Sequence, residues 1–104
     1  MLFAVPPKFV SRNFKDKIFL QVGTSSALKV HYFGSPRPTA ELSFNGRPLP
    51  DDKLDIIATV VSITLHDIDR SDSGVYTVDL HNVLGRDKID IEVVVIGKIY
   101  QSVR

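Results

Sequence analysis

Apolar residues in this chain recur at every second position, segment after segment, which is the mark of β-strands with one face turned inward. Ile18, Leu20 and Val22 alternate with Lys17, Phe19 and Gln21, and Gly23-Thr24-Ser25-Ser26 then makes a turn. Leu28, Val30 and Tyr32 alternate with Lys29 and His31 until Gly34-Ser35-Pro36-Arg37-Pro38 closes the strand. Prolines so close together cannot sit inside a sheet, because each lacks the amide that a ladder needs. Ala40, Leu42 and Phe44 share one face of a third strand, with Glu41 and Ser43 on the other, and Asn45-Gly46 supplies the positive φ angles of a tight turn. Beyond Pro48 and Pro50 come a short segment from Leu54 to Ala58 and the alternating run Val61, Ile63 and Leu65. Asp67 to Gly74 is a polar connection. Tyr76, Val78 and Leu80, then Ile89, Ile91, Val93 and Val95, complete the pattern. No segment carries a helical stripe, and no internal repeat is present. Roughly seven or eight short strands with frequent turn signals predict an all-β, two-sheet sandwich. The ends, from Met1 to Pro7 and from Gly97 to Arg104, lack the alternation and read as linkers, tag remnants or stubs of neighbouring domains.

Composition narrows the function classes. A chain of 104 residues has material for one core. Thirteen Lys+Arg stand against 12 Asp+Glu, so a formal charge of +1 gives no electrostatic reason to expect nucleic acid or an acidic membrane surface as partner. No apolar run approaches the roughly 18 residues that span a bilayer, and Met1 to Val5 is too brief for a signal-peptide core. The chain has no cysteine, which in a sandwich of this size points to a reducing compartment. Asn13, Asn45 and Asn82 all lack the Ser or Thr of a glycosylation acceptor, which points the same way.

Apparent chemistry is sparse. Asp67, Asp69 and Ser71 have the one-three-five spacing of a calcium loop, but Asp72 stands where the loop needs glycine and Val78 where it needs a bidentate glutamate. Carboxylates capping backbone amides in a polar corner account for the same residues. His31, His66 and His81 have no metal-ligand spacing and fall on outward or strand-end positions. Ser73 lacks the glycine elbow of a nucleophile, and no glycine-rich phosphate loop or basic-aromatic platform exists. These observations predict no catalytic residue, no cofactor and no metal.

Several spaced motifs carry a family resemblance. Gly34-Ser35-Pro36-Arg37-Pro38-Thr39, Phe44-Asn45-Gly46-Arg47-Pro48-Leu49, Asp72-Ser73-Gly74-Val75-Tyr76 and Asn82-Val83-Leu84-Gly85 resemble an intermediate-set (I-set) immunoglobulin domain. The type is that of the giant muscle proteins titin, twitchin, projectin and myosin-binding protein C. The resemblance covers about residues 6–96, leaving 1–5 as linker or remnant and 97–104 as a C-terminal linker. It implies an immunoglobulin-like sandwich without the inter-sheet disulfide, because Val30, Leu42 and Val78 stand where the family has its B-strand cysteine, C-strand tryptophan and F-strand cysteine. A lost bridge costs about 2–5 kcal/mol, and each buried Val or Leu returns roughly 1.5–3 kcal/mol. Aliphatic packing can therefore replace the bridge. The resemblance also implies that Asp72, Gly74 and Tyr76 form a tyrosine corner, with the hydroxyl bonded to backbone between Asp69 and Asp72. It further implies that the strand from Ile18 to Val22 pairs with the final strand from Ile89 to Val95.

By the same resemblance the expected function is structural. The domain would be a non-catalytic, monomeric link of an intracellular sarcomeric array, spacing and bearing load in the cytoplasm of muscle. Its partners would be neighbouring immunoglobulin or fibronectin-type domains in the same chain, with myosin or another filament protein along its side. Any kinase domain would lie elsewhere in the parent chain, with this domain as its accessory. The alternative from a different class is the recognition domain of a cell-adhesion molecule or receptor built on the same sandwich. Flanking sequence separates the two, because tandem domains would mark the first and a transmembrane segment the second.

Overall fold

The computed structural model describes residues 4–10 and 17–97. Its strands, in chain order, are β1 (Val5–Phe9), β2 (Ile18–Gln21), β3 (Ser26–Ser35), β4 (Thr39–Phe44), β5 (Arg47–Pro48), β6 (Leu54–Ile57), β7 (Val60–Leu65), β8 (Gly74–Asn82) and β9 (Gly85–Ile96). Short 3-10 turns occupy Asp51–Lys53 and Arg70–Asp72. One sheet has the order β1-β3-β7-β6 and the other β2-β9-β8-β4-β5. Every pairing is antiparallel except that of β2 with β9.

The alternation sets the core. Leu28, Val30 and Tyr32 of β3 and Val61, Ile63 and Leu65 of β7 are buried from one sheet. Leu42 of β4, Tyr76, Val78 and Leu80 of β8, and Ile89, Ile91 and Val93 of β9 are buried from the other. Successive side chains point to opposite faces, so each strand gives alternate residues to the interior. No polar or charged residue is buried among the described residues, so the core carries no desolvated charge to compensate.

Several elements escaped the periodicity. Val5–Phe9 forms a strand although Pro6 and Pro7 read as chain end. The prolines are tolerated because β1 is an edge, paired only with β3, and its register shifts between Val5 and Lys8. Pro7 and Phe9 turn inward, and Phe9 is 2% exposed. Two-residue β5 is likewise an edge strand, with Pro48 opposite Ser43. Asn45 and Gly46 adopt φ of 49° and 84°, the left-handed pair of a two-residue hairpin turn, and Phe44 faces Arg47 across it. Ile68, inside the stretch read as polar, is 1% exposed. Phe19, on the outer face of β2, is 59% exposed.

Candidate functional site

The pole where β9 ends gathers several elements into one bonded junction. It begins with the parallel ladder of β2 on β9, in which Ile18, Phe19, Leu20 and Gln21 face Val93, Val94, Val95 and Ile96. Just past β2, the Val22 amide donates to the Ile96 carbonyl at 3.0 Å. The next residues turn into β3, and Gly23, with φ of 86°, makes that turn. The Gly23 amide donates to the Ile68 carbonyl at 2.8 Å, and the Ile68 amide donates to the Thr24 carbonyl at 2.9 Å. Buried Ile68 thus links the β2–β3 turn to the connection before β8.

That connection is the corner. Asp72 accepts the Asp69 amide on its carboxylate at 2.8 Å, while the Asp72 amide donates to the Asp69 carbonyl at 2.9 Å. The pair closes one 3-10 turn from both ends, and an ionised acceptor strengthens the first bond. Tyr76 reaches back from β8 and donates its hydroxyl to the Asp72 carbonyl at 2.8 Å. The ring is buried against Phe44, with centroids 4.7 Å apart and planes tilted by 44°. Burial, and then the nearby Asp72 charge, push the Tyr76 phenol up to about 12. The hydroxyl therefore stays a donor at any physiological pH. Ser73 completes the junction, because its hydroxyl oxygen accepts the Val95 amide at 2.8 Å and so ties the corner to β9.

Gly74 opens β8 at φ 155°, and the space beside it is occupied. A Cβ there would lie 2.6 Å from Asn45 Oδ1 and 2.7 Å from both Asn45 Nδ2 and a Phe44 ring carbon. Only glycine lets the β4–β5 turn close onto β8 at this point. Asn45 uses the space: its amide donates to the Val75 carbonyl at 2.8 Å, and its side-chain oxygen accepts the Val75 amide at 2.9 Å.

Val30, Leu42 and Val78 lie deep in the interior, at 3%, 2% and 0% exposure. Leu42 and Val78 are opposite neighbours in the β4–β8 ladder, and Val30 belongs to the facing sheet. His31, His66 and His81 are dispersed and exposed, and the His81 ring Nδ1 lies 2.8 Å from Thr39 Oγ1. Among the described residues no group of three or more His, Asp or Glu side chains could hold a metal ion. Sequence reasoning missed two contributors here. Ile68 was betrayed only by being the lone apolar residue between acidic neighbours, and nothing in the order of residues pointed to the Ser73 hydroxyl. At the opposite pole, the Asn82 amide donates to the carbonyls of Val5 and Pro36 at 2.8 and 3.2 Å.

The family model for the immunoglobulin I-set domain matches residues 7–95, which takes in all but the outer residues of the sandwich just described. The chain belongs to the immunoglobulin I-set family. Relatives of this I-set domain cluster around titin. A titin homolog of Caenorhabditis elegans is 31% identical over 93 residues, which is 88% of this chain but, rounded, 0% of that very long protein. The crystal structure of the titin domains z1z2 in complex with telethonin superposes with a TM-score of 0.79 at 25% identity, covering 92% of this chain and 49% of that one. A trigonal form of titin M4 reaches a TM-score of 0.82 at 17% identity over 91% of this chain and 100% of its own, and so speaks for the fold alone. The I-set sandwich is here complete without a bridge, since the chain has no cysteine. Its family is non-catalytic, and the junction bonds β2, near the start of the sandwich, to its last strand β9.

Proposed function

We propose that this I-set domain is a spacing and load-bearing link of a titin-like sarcomeric protein inside the muscle cell. It folds as a unit over about residues 6–96, with 1–5 and 97–104 as linkers. Its partners are the immunoglobulin or fibronectin-type domains on either side, and it meets myosin or another filament protein along its flank. The observation that carries this reading is the parallel pairing of β2 with β9. In a parallel pair at opposite ends of the chain, pulling the termini apart slides one strand along the other. The evenly spaced, slanted ladder bonds of such a pair are then loaded together instead of one after another. The 31% identity to a titin homolog supports the sarcomeric setting.

Single-molecule pulling of the domain in a tandem of known modules tests the reading. Val22→Pro deletes the amide that donates to Ile96, and proline also restricts Gln21 before it. The unfolding force of that variant is expected to fall well outside the wild-type distribution. Equal forces for the two proteins would rule out the clamp.

A further inference from the structure

Asn45-Gly46 is chemically the most labile pair in this chain, and the fold holds it in a way that suppresses its chemistry. An asparagine followed by glycine cyclises readily because the glycine has no side chain to hinder the attack. The Gly46 backbone nitrogen forms a bond to the Asn45 side-chain carbonyl carbon, the bond from that carbon to Nδ2 breaks, and ammonia leaves with the proton given up by the Gly46 nitrogen. Water then opens the five-membered imide at either carbonyl. One opening returns an aspartate in the normal main chain, and the other gives an isoaspartate whose main chain runs through Cβ and Cγ. The net change is addition of one water and loss of one ammonia, with no oxidant or reductant.

Both residues are exposed, so water is not excluded from the turn. Protection must come from conformation. The Asn45 side-chain oxygen is held by the Val75 amide at 2.9 Å, its main-chain amide is held by the Val75 carbonyl at 2.8 Å, and its terminal amide fills the space left by the missing Cβ of Gly74. Bonds to a single residue of β8 thus fix both ends of Asn45, and its carbonyl carbon is kept from turning back onto the next nitrogen. The left-handed pair at φ 49° and 84° holds the main chain as well. We propose that Asn45 is a latent deamidation site, silent while the β4–β5 turn is docked on β8 and released when the two separate, so that the domain keeps a covalent record of having opened.

The two products leave different marks. Aspartate at 45 still offers an oxygen to the Val75 amide and still fits the turn. Isoaspartate lengthens the main chain inside a two-residue loop, and loop length sets the register of Phe44 on Arg47 and Ser43 on Pro48. A domain that opened long enough to react therefore recloses imperfectly. This inference is independent of the sarcomeric reading.

The test incubates the full chain at mildly alkaline pH, folded in buffer and unfolded in denaturant. Mass spectrometry and isoaspartyl-specific methylation read the peptide that contains Asn45, with the Asn82 peptide as a slower internal control. The folded protein is expected to react roughly tenfold or more slowly, because reaction must wait for local opening. Equal rates at Asn45 in the folded and unfolded chain would overturn the proposal. Asn45→Asp is expected to melt within a few degrees of wild type, while the isoaspartyl fraction purified after unfolding melts clearly lower. An isoaspartyl fraction with wild-type stability would also overturn it.

Discussion

The interior between the sheets and the corner at the pole of β9 hold the same molecule by different physics. The interior is apolar contact without direction: Val30, Leu42 and Val78 fill volume, and any side chains of similar size and hydrophobicity would do much the same. The corner is direction without much volume. Tyr76, Asp72, Ser73 and Asp69 are bonded through particular atoms at 2.8–2.9 Å, and shifting any of them leaves a donor or acceptor unpaired. The difference explains how a sandwich of this family loses its disulfide and keeps its fold. By the family resemblance the bridge would fall in the permissive region, where Val30, Leu42 and Val78 are buried. A comparable change in the corner has no apolar equivalent.

The largest effect expected from this contrast comes from restoring the bridge. The double variant Val30→Cys/Val78→Cys should oxidise without large backbone movement if, as the family resemblance implies, these positions occupy the sites of the family's bridge, since a disulfide needs α-carbons roughly 4.4–6.8 Å apart. Oxidation is expected to add about 2–4 kcal/mol by closing a long loop in the unfolded chain, less what the lost methyl groups contributed to packing. Denaturant unfolding with and without reductant measures it, with wild type equally stable in both buffers. Cysteines that stay reduced under oxidising conditions would show that the interior at these positions is less permissive than its residue types suggest.

A smaller effect tests the corner. Tyr76→Phe preserves the ring against Phe44 and removes only the donor to the Asp72 carbonyl. The expected cost is about 1–3 kcal/mol, that of a part-buried acceptor left unpaired. Alkaline pH gives an independent handle with a definite sign. The folded phenol, at about 12, holds its proton more tightly than an unfolded one at 10.0. Its contribution is fully present below the unfolded value and is lost as pH rises through the folded one, so wild-type stability falls across that window. The difference between wild type and Tyr76→Phe should therefore shrink as pH rises from about 10 to 12, which equilibrium unfolding at several pH values would detect. A gap absent at neutral pH would mean that the hydroxyl contributes nothing beyond its ring, and a gap constant with pH would mean that the phenol titrates alike in the folded and unfolded chain.

The same contrast governs what could be read from the residues in order. Directionless packing leaves a periodic trace, so the strands around Val30, Ile63, Val78 and Ile91 stand out by alternation alone. The trace fails where the chain pays for an edge with proline, as at Pro6 and Pro7 of β1, or where a single buried residue such as Ile68 serves a connection. The corner leaves no period at all. Asp72, Gly74 and Tyr76 stand out only through their resemblance to a family pattern, and that pattern is silent on the Ser73 hydroxyl beneath Val95 or the Asn45 side chain beside Gly74. Those bonds depend on where segments distant in sequence come together, which neither composition nor spacing encodes.

The smallest effects should fall outside both regions, on the histidines. His31 and His66 are exposed and sit in neither the packed interior nor the bonded corner. Replacing either by alanine is expected to change stability by no more than about 0.5 kcal/mol, the usual range for a surface site. His81 differs slightly, because a ring nitrogen lies 2.8 Å from Thr39 Oγ1 across the β4–β8 ladder. An exposed bond of that kind adds a few tenths of a kcal/mol as a cross-strand pair. Chemical denaturation of the three single variants orders them, with His81→Ala the most affected, and pulling forces should match wild type for all three because none lies in the β2–β9 ladder. A loss above about 1 kcal/mol at His31 or His66 would mean that stability in this domain extends past interior and corner to a third region, since surface changes away from special features rarely reach that size.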